Sequence, residues 1–163
     1  MKRSCNVLFI LLLVASISLN AQDYYQADYK ETNSLEAVST SCITVGILKG
    51  GGSLIGADLE FLLSEKIGAQ IGGGLVGYGG GINFHLKPGI RSSFISVQYW
   101  NQGIGGTFVQ SLVGPNFVYR SKKWFTFQIG LGALLEIGEE NIYDEGEVPD
   151  VILTYAIGAY FPW

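Results

Sequence analysis

The feature that most constrains this chain is a period-two alternation between Trp124 and Ile137. The odd positions Phe125, Phe127, Ile129, Leu131, Ala133, Leu135 and Ile137 are all apolar. The even positions Trp124, Thr126, Gln128, Gly130, Gly132, Leu134 and Glu136 are mostly small or polar. Such a period belongs to a β-strand with two unlike faces. The segment 151–163 repeats it, with Val151, Leu153, Tyr155, Ile157, Ala159, Phe161 and Trp163 set against Ile152, Thr154, Ala156, Gly158, Tyr160 and Pro162. Two such strands joined by a polar loop predict an antiparallel hairpin.

Alternation does not say which face is wet. A soluble barrel turns its apolar face inward, whereas a membrane barrel turns it out to lipid and keeps a polar lumen. Three features favour the second arrangement. Between the apolar positions lie Gly, Thr and Gln rather than the Lys and Glu of a water-facing surface. Aromatic residues gather near strand ends (Tyr119, Trp124, Tyr155, Phe161, Trp163), as interfacial girdles require. The chain also closes on an aromatic with apolar residues at alternating positions behind it. That ending resembles the C-terminal signature read by the assembly machinery of bacterial outer-membrane barrels, from which Ala159 and Pro162 depart.

The same alternation extends upstream. Ile43, Val45 and Ile47 define a first strand. Ile55, Ala57, Leu59, Phe61 and Leu63 oppose Gly56, Asp58 and Glu60 in a second. Ile67, Ala69, Ile71 and Leu75 oppose Gly68, Gln70, Gly72 and Gly74 in a third. Ile82, Phe84 and Leu86 oppose Asn83, His85 and Lys87 in a fourth, and Ile95, Val97 and Tyr99 oppose Ser96 and Gln98 in a fifth. A less regular sixth sets Val109, Val113, Phe117 and Tyr119 against Gln110, Gly114, Asn116 and Arg120, and Pro115 predicts a bulge there. Turns are expected at 49–53, 64–66, 77–80, 87–92, 101–106, 120–123 and 138–150. The expected fold class is therefore all-β, an eight-stranded antiparallel up-and-down transmembrane β-barrel, each strand near the ~9–11 residues that a tilted span needs.

Three segments are expected. Residues 1–21 read as a secretory signal peptide, with basic Lys2 and Arg3, an apolar stretch Val7–Leu19 too short to span a bilayer, and a small-residue cleavage site at Leu19-Asn20-Ala21. Residues 22–40 are polar and aperiodic and read as a flexible periplasmic lead-in. Residues 41–163 form the barrel. Without the signal, eight Lys and Arg face 14 Asp and Glu, a net charge of about −6 with no basic stripe, which excludes nucleic acid as a partner. Cys42 alone remains, so no intramolecular disulfide forms. A mean hydropathy of +0.30 without a long apolar run after the signal fits alternating strands.

Chemical motifs are few. Gly72-Gly-Gly-Leu-Val-Gly77 matches G-x-G-x-x-G, but a strand pattern follows it, and no Asp or Glu lies between Glu65 and Glu136. A dinucleotide fingerprint needs a helix and an acidic residue about 20 positions on. His85 is the single histidine; Asp58 or Glu60 could approach it through the lumen with Ser96 nearby, as a nucleophile-base-acid set requires. A structural lumen histidine is the plainer reading. One His and one mature Cys make no metal site, and no cofactor or catalytic residue is expected. The loop 138–150 carries Glu139, Glu140, Asp144, Glu145, Glu147 and Asp150 without a base; it is expected outside the cell, as a solvated loop or a collector of Ca²⁺ or Mg²⁺. The site expected to matter is a polar lumen network of Asp58, Glu60, His85, Lys87, Arg120 and Glu136. Its charges must pair or stay wet, in a barrel just wide enough for side chains to fill.

The segment Pro88–Ala133 resembles a family of uncharacterised small outer-membrane β-barrel proteins from gram-negative gut-type bacteria. The residues that carry the resemblance are Gly89-Ile-Arg-Ser-Ser-Phe94, Gln98-Tyr-Trp100, Gln102-Gly-Ile104, Gln110-Ser-Leu112, Gly114-Pro115 and Lys122-Lys-Trp-Phe-Thr126, then Tyr155–Trp163. It implies location and fold and brings no activity. The expectation is an outer-membrane barrel with a structural or surface-interaction role and no open pore. It would be a monomer, with outer-membrane lipid, lipopolysaccharide and the barrel-assembly machinery (through the last strand) as partners. The alternatives are a lipid-modifying outer-membrane enzyme and a soluble lipocalin-like carrier.

Overall fold

In the computed structural model, residues 39–104, 108–138 and 149–163 are described. The expected signal peptide, most of the lead-in and most of the acidic loop fall outside them. Eight strands follow in chain order: β1 (Ser41–Ile47), β2 (Gly56–Leu62), β3 (Ile67–Gly74), β4 (Gly77–His85), β5 (Phe94–Ile104), β6 (Phe108–Arg120), β7 (Phe125–Ile137) and β8 (Val151–Pro162). Each pairs antiparallel with its sequence neighbour, and β1 pairs with β8, from Cys42 opposite Pro162 to Ile47 opposite Ile157, so the sheet closes into an up-and-down barrel. Closure leaves no unpaired edge. The end that holds Ser41 and the turns at 63–66, 86–93 and 121–124 is called the near end below; the opposite end is the far end.

Strand lengths are less even than expected. They grow from 7 residues in β1 and β2 to 13 in β6 and β7. The glycines at 77–80 and the segment 101–104 belong to strands rather than turns. Gly72–Gly74 ends β3, two residues turn, and Gly77 opens β4, so a hairpin and no helix follows the G-x-G-x-x-G run.

One irregularity changes a face. Leu112 pairs with Leu134, but Ser111 pairs with Glu136, so Leu135 is an extra residue on β7. The bulge lies here and not at Pro115, which pairs in register with Val97. A bulge breaks the two-residue parity locally.

The alternation sorts cleanly between the two faces. Among the described residues, 17 polar or charged side chains and eight apolar ones are buried. Ile71, Ile82, Phe84, Val97, Phe117, Phe127, Ile129, Leu131, Leu153 and Phe161 are exposed on the outer face. This distribution inverts a soluble core, where burial favours apolar groups. The aromatics Tyr119, Trp124, Tyr155, Phe161 and Trp163 are all exposed, although Tyr155 stands opposite Ile129 in mid-strand rather than at a rim.

Candidate functional site

Most of the buried charged side chains and their amide partners fall into two clusters. The first occupies the near end. Glu60, carried inward by β2 parity, receives Arg120 Nη2 at 2.6 Å on one oxygen, and His85 Nε2 lies 2.9 Å from the other. Asn83 Nδ2 donates to that second oxygen at 2.5 Å and to Gln70 Oε1 at 2.9 Å. Arg120 ends β6 and also donates to the carbonyl of Ile90 in the near-end turn. Its guanidinium lies 4.8 Å from the Phe94 ring centroid and 5.0 Å from that of Tyr160, at distances where a cation is attracted to the ring face. Tyr160, Cys42 and Ile90 form a small apolar cluster with Leu62 beside it. A buried charge pair survives only when its remaining groups are bonded, and these partners serve Glu60. Among the described residues, Asn83 Oδ1, His85 Nδ1 and Arg120 Nε are buried and meet no hydrogen-bond partner.

The second cluster reaches toward the far end and is built around a segment expected to be a plain turn. Lys49–Gly52 (α1) folds into the barrel and is buried. Leu48, Gly50, Gly51 and Gly52 take positive φ, and a Cβ on Gly51 would strike the carbonyl of Tyr78. Only glycine tolerates both constraints at once. Lys49 Nζ donates to Gln128 Oε1 at 2.7 Å and lies 3.9 Å from Asp58 Oδ2, while Gly50 N donates to Asp58 Oδ1 at 3.1 Å. Gln128 Nε2 and Trp100 Nε1 both donate to Gln98 Oε1, at 2.8 and 2.9 Å, and Gln98 Nε2 donates to Ser96 Oγ at 2.8 Å. Gln102 Nε2 caps the Gly52 carbonyl at 2.7 Å.

The expected network is thus divided and corrected. Glu60, His85 and Arg120 come together; Asp58 joins Lys49 in the second cluster. Lys87 is half-buried in the turn beyond β4, where its backbone N–H donates to Ser92 Oγ at 2.8 Å. Glu136 is exposed and outside the lumen, because the Leu135 bulge turns it to the outer face beside Ser111. Three members were missed, Lys49, Trp100 and Gln102. Three glycines after Lys49 were the signal for the first, since a glycine run marks close backbone approach as well as a turn. Trp100 needed only the parity of Ser96 and Gln98 extended by one step. Space beside inward glycines is taken up by neighbouring side chains: a Cβ built on Gly74 would lie 2.5 Å from Ser53 Cβ, and one built on Gly72 would strike Asp58 Oδ1.

His85 sits between Glu60 and the Phe94 ring, whose centroid is 5.0 Å away. Ser96 is engaged by Gln98. Among the described residues, no group of three His, Cys, Asp or Glu side chains is gathered to hold a metal ion. The arrangement can therefore fill and rigidify a lumen; it presents no exposed nucleophile beside a base. No protein-family model, no curated protein and no solved structure matches the chain.

Proposed function

We propose that the chain is an outer-membrane β-barrel with a structural or surface-interaction role, a closed lumen and no catalytic activity. The observation that carries this reading is the inverted polarity of the barrel, with polar and charged groups inside and isoleucine, leucine, valine and phenylalanine outside. In water, so continuous an apolar surface would drive aggregation; in a bilayer it is the favoured face. A soluble carrier needs the reverse, an apolar cavity, whereas this lumen holds the Glu60–Arg120 pair and the Lys49 segment. The lipid-modifying alternative needs reactive groups open to a membrane substrate, and His85 is buried against Glu60.

Fractionation tests the reading. The protein is expected in the outer-membrane fraction, extractable only with detergent, and its gel mobility should shift on boiling as the barrel unfolds. A chain soluble without detergent that takes up an apolar fluorescent probe would overturn it. Lipid A analysis of a deletion strain addresses catalysis: an altered acyl pattern restored by wild type but not by His85→Ala would make the chain an enzyme.

A further inference from the structure

One cross-strand row on the outer face departs from the apolar pattern. Tyr78 on β4 pairs with Asn101 on β5, Asn101 with Ser111 on β6, and Ser111 with Glu136 on β7. Residues paired across strands share a face, so these four side chains form one band. Asn101 Nδ2 donates to Ser111 Oγ at 2.8 Å. The Tyr99 hydroxyl, one step below Asn101 on the same face, lies 3.3 Å from Ser111 Oγ and 3.4 Å from Asn101 Nδ2. Ser111 is the buried pin of the group, while Tyr78, Tyr99 and Glu136 are exposed.

The row lies at the far end, where β4 begins and β7 finishes. The next row toward the near end is Gly80, Tyr99, Val113, Ala133 and Val151. The apolar belt therefore starts immediately beneath it, with only the Tyr99 hydroxyl reaching up. Glu136 is in the row because of the bulge at Leu135; with unbroken parity it would face the lumen.

We propose that Tyr78, Tyr99, Asn101, Ser111 and Glu136 form a recognition site for the sugar headgroup of an uncharged glycolipid lying against β4–β7. The proposal rests on the membrane reading and names the lipid that this face selects. Hydroxyls, an amide and a carboxylate offer the mixed donors and acceptors that neighbouring sugar hydroxyls require. The exposed tyrosine rings combine an apolar body with a polar tip, as suits the boundary between headgroup and acyl chain. None of the five residues is cationic, so the row offers a phosphate no charge-assisted partner, and the Glu136 carboxylate repels one. The belt beneath takes the acyl chains.

The test uses the full chain in phosphatidylcholine nanodiscs doped with equal amounts of galactosyl diacylglycerol and phosphatidylglycerol. The lipid retained by the protein is read by native mass spectrometry. Wild type should retain the galactolipid in preference, and Glu136→Gln should lower that preference about tenfold, the loss of one charge-assisted hydrogen bond. Ser111→Ala should lower it too, and Val97→Ala, on the same face outside the row, should leave it intact. Boiling-dependent gel mobility confirms that each variant is folded; if Ser111→Ala is not, the near-isosteric and exposed Glu136→Gln still decides. Equal retention of both lipids, or a preference that survives Glu136→Gln, overturns the site and leaves the membrane reading standing. So does cross-linking of two copies through Asn101→Cys, which would make a second chain the occupant. A chain that never enters the nanodiscs overturns both.

Discussion

At the scale of single residues, Arg120 is the side chain on which most depends. Its guanidinium meets Glu60, the Ile90 carbonyl and the faces of Phe94 and Tyr160. Removing one member of a buried pair leaves the other charge uncompensated, at about 3–5 kcal/mol. Arg120→Met should therefore lower unfolding stability in detergent by that order, whereas Glu60→Gln with Arg120→Met should recover a large part of it. A double variant as unstable as the single one would mean that packing against the rings, not charge, is what Arg120 supplies. Two glycines make a second comparison. Gly89 has φ +100 and open space where a Cβ would go, so Gly89→Ala should cost only the backbone term, about 1–2 kcal/mol. Gly51 has φ +76 and a backbone carbonyl in the way; Gly51→Ala should cost clearly more, and denaturant titration of both variants ranks them.

At the scale of elements, the β1–β2 connection is the unusual one. It turns back into the barrel and lays its backbone against glycines of β3 and β4. The Lys49 segment lies in the far half of the lumen, and Glu60, Arg120 and Tyr160 lie in the near half. Under the proposed reading, each is expected to stop ions alone. Wild type should show no steady current in a planar bilayer, and deletion of Lys49–Gly52 should leave the bilayer silent as well. Combining that deletion with Glu60→Gln and Arg120→Met is the change expected to admit stepwise currents. Currents from the single deletion would assign the whole barrier to the far-end segment. The expected lumen network was legible where parity stayed regular, as for Glu60, His85 and Arg120. It failed at Glu136, where one inserted residue in β7 reversed the face.

At the scale of the whole molecule, the barrel has a direction. Outer-membrane barrels put their longer loops outside the cell; the longest connection, 138–150, joins β7 to β8 at the far end, so under the proposed membrane reading the near end, with turns at 63–66, 86–93 and 121–124, is periplasmic. Cys42 is buried, so it does not confuse surface labelling. In intact cells, Leu75→Cys at the far end should react with a membrane-impermeant maleimide, and Lys122→Cys only after permeabilisation. The opposite pattern would reverse the topology and place the polar row of β4–β7 on the periplasmic side.

The alternation of apolar and polar residues determined by itself the strand class, the number of strands and, for most positions, which face each side chain takes. Those properties follow from a two-residue geometry that is local to each strand. Only the tertiary structure decided the rest. Glu60 and Arg120 are 60 residues apart and meet because the closed barrel brings β2 and β6 across one lumen. The Lys49 segment folds inward because glycines on β3 and β4, distant in sequence, leave its backbone room. Strand pairing register, not any one strand's pattern, places the Leu135 bulge and so turns Glu136 outward. Such contacts belong to the closed sheet, and no stretch of sequence read alone contains them.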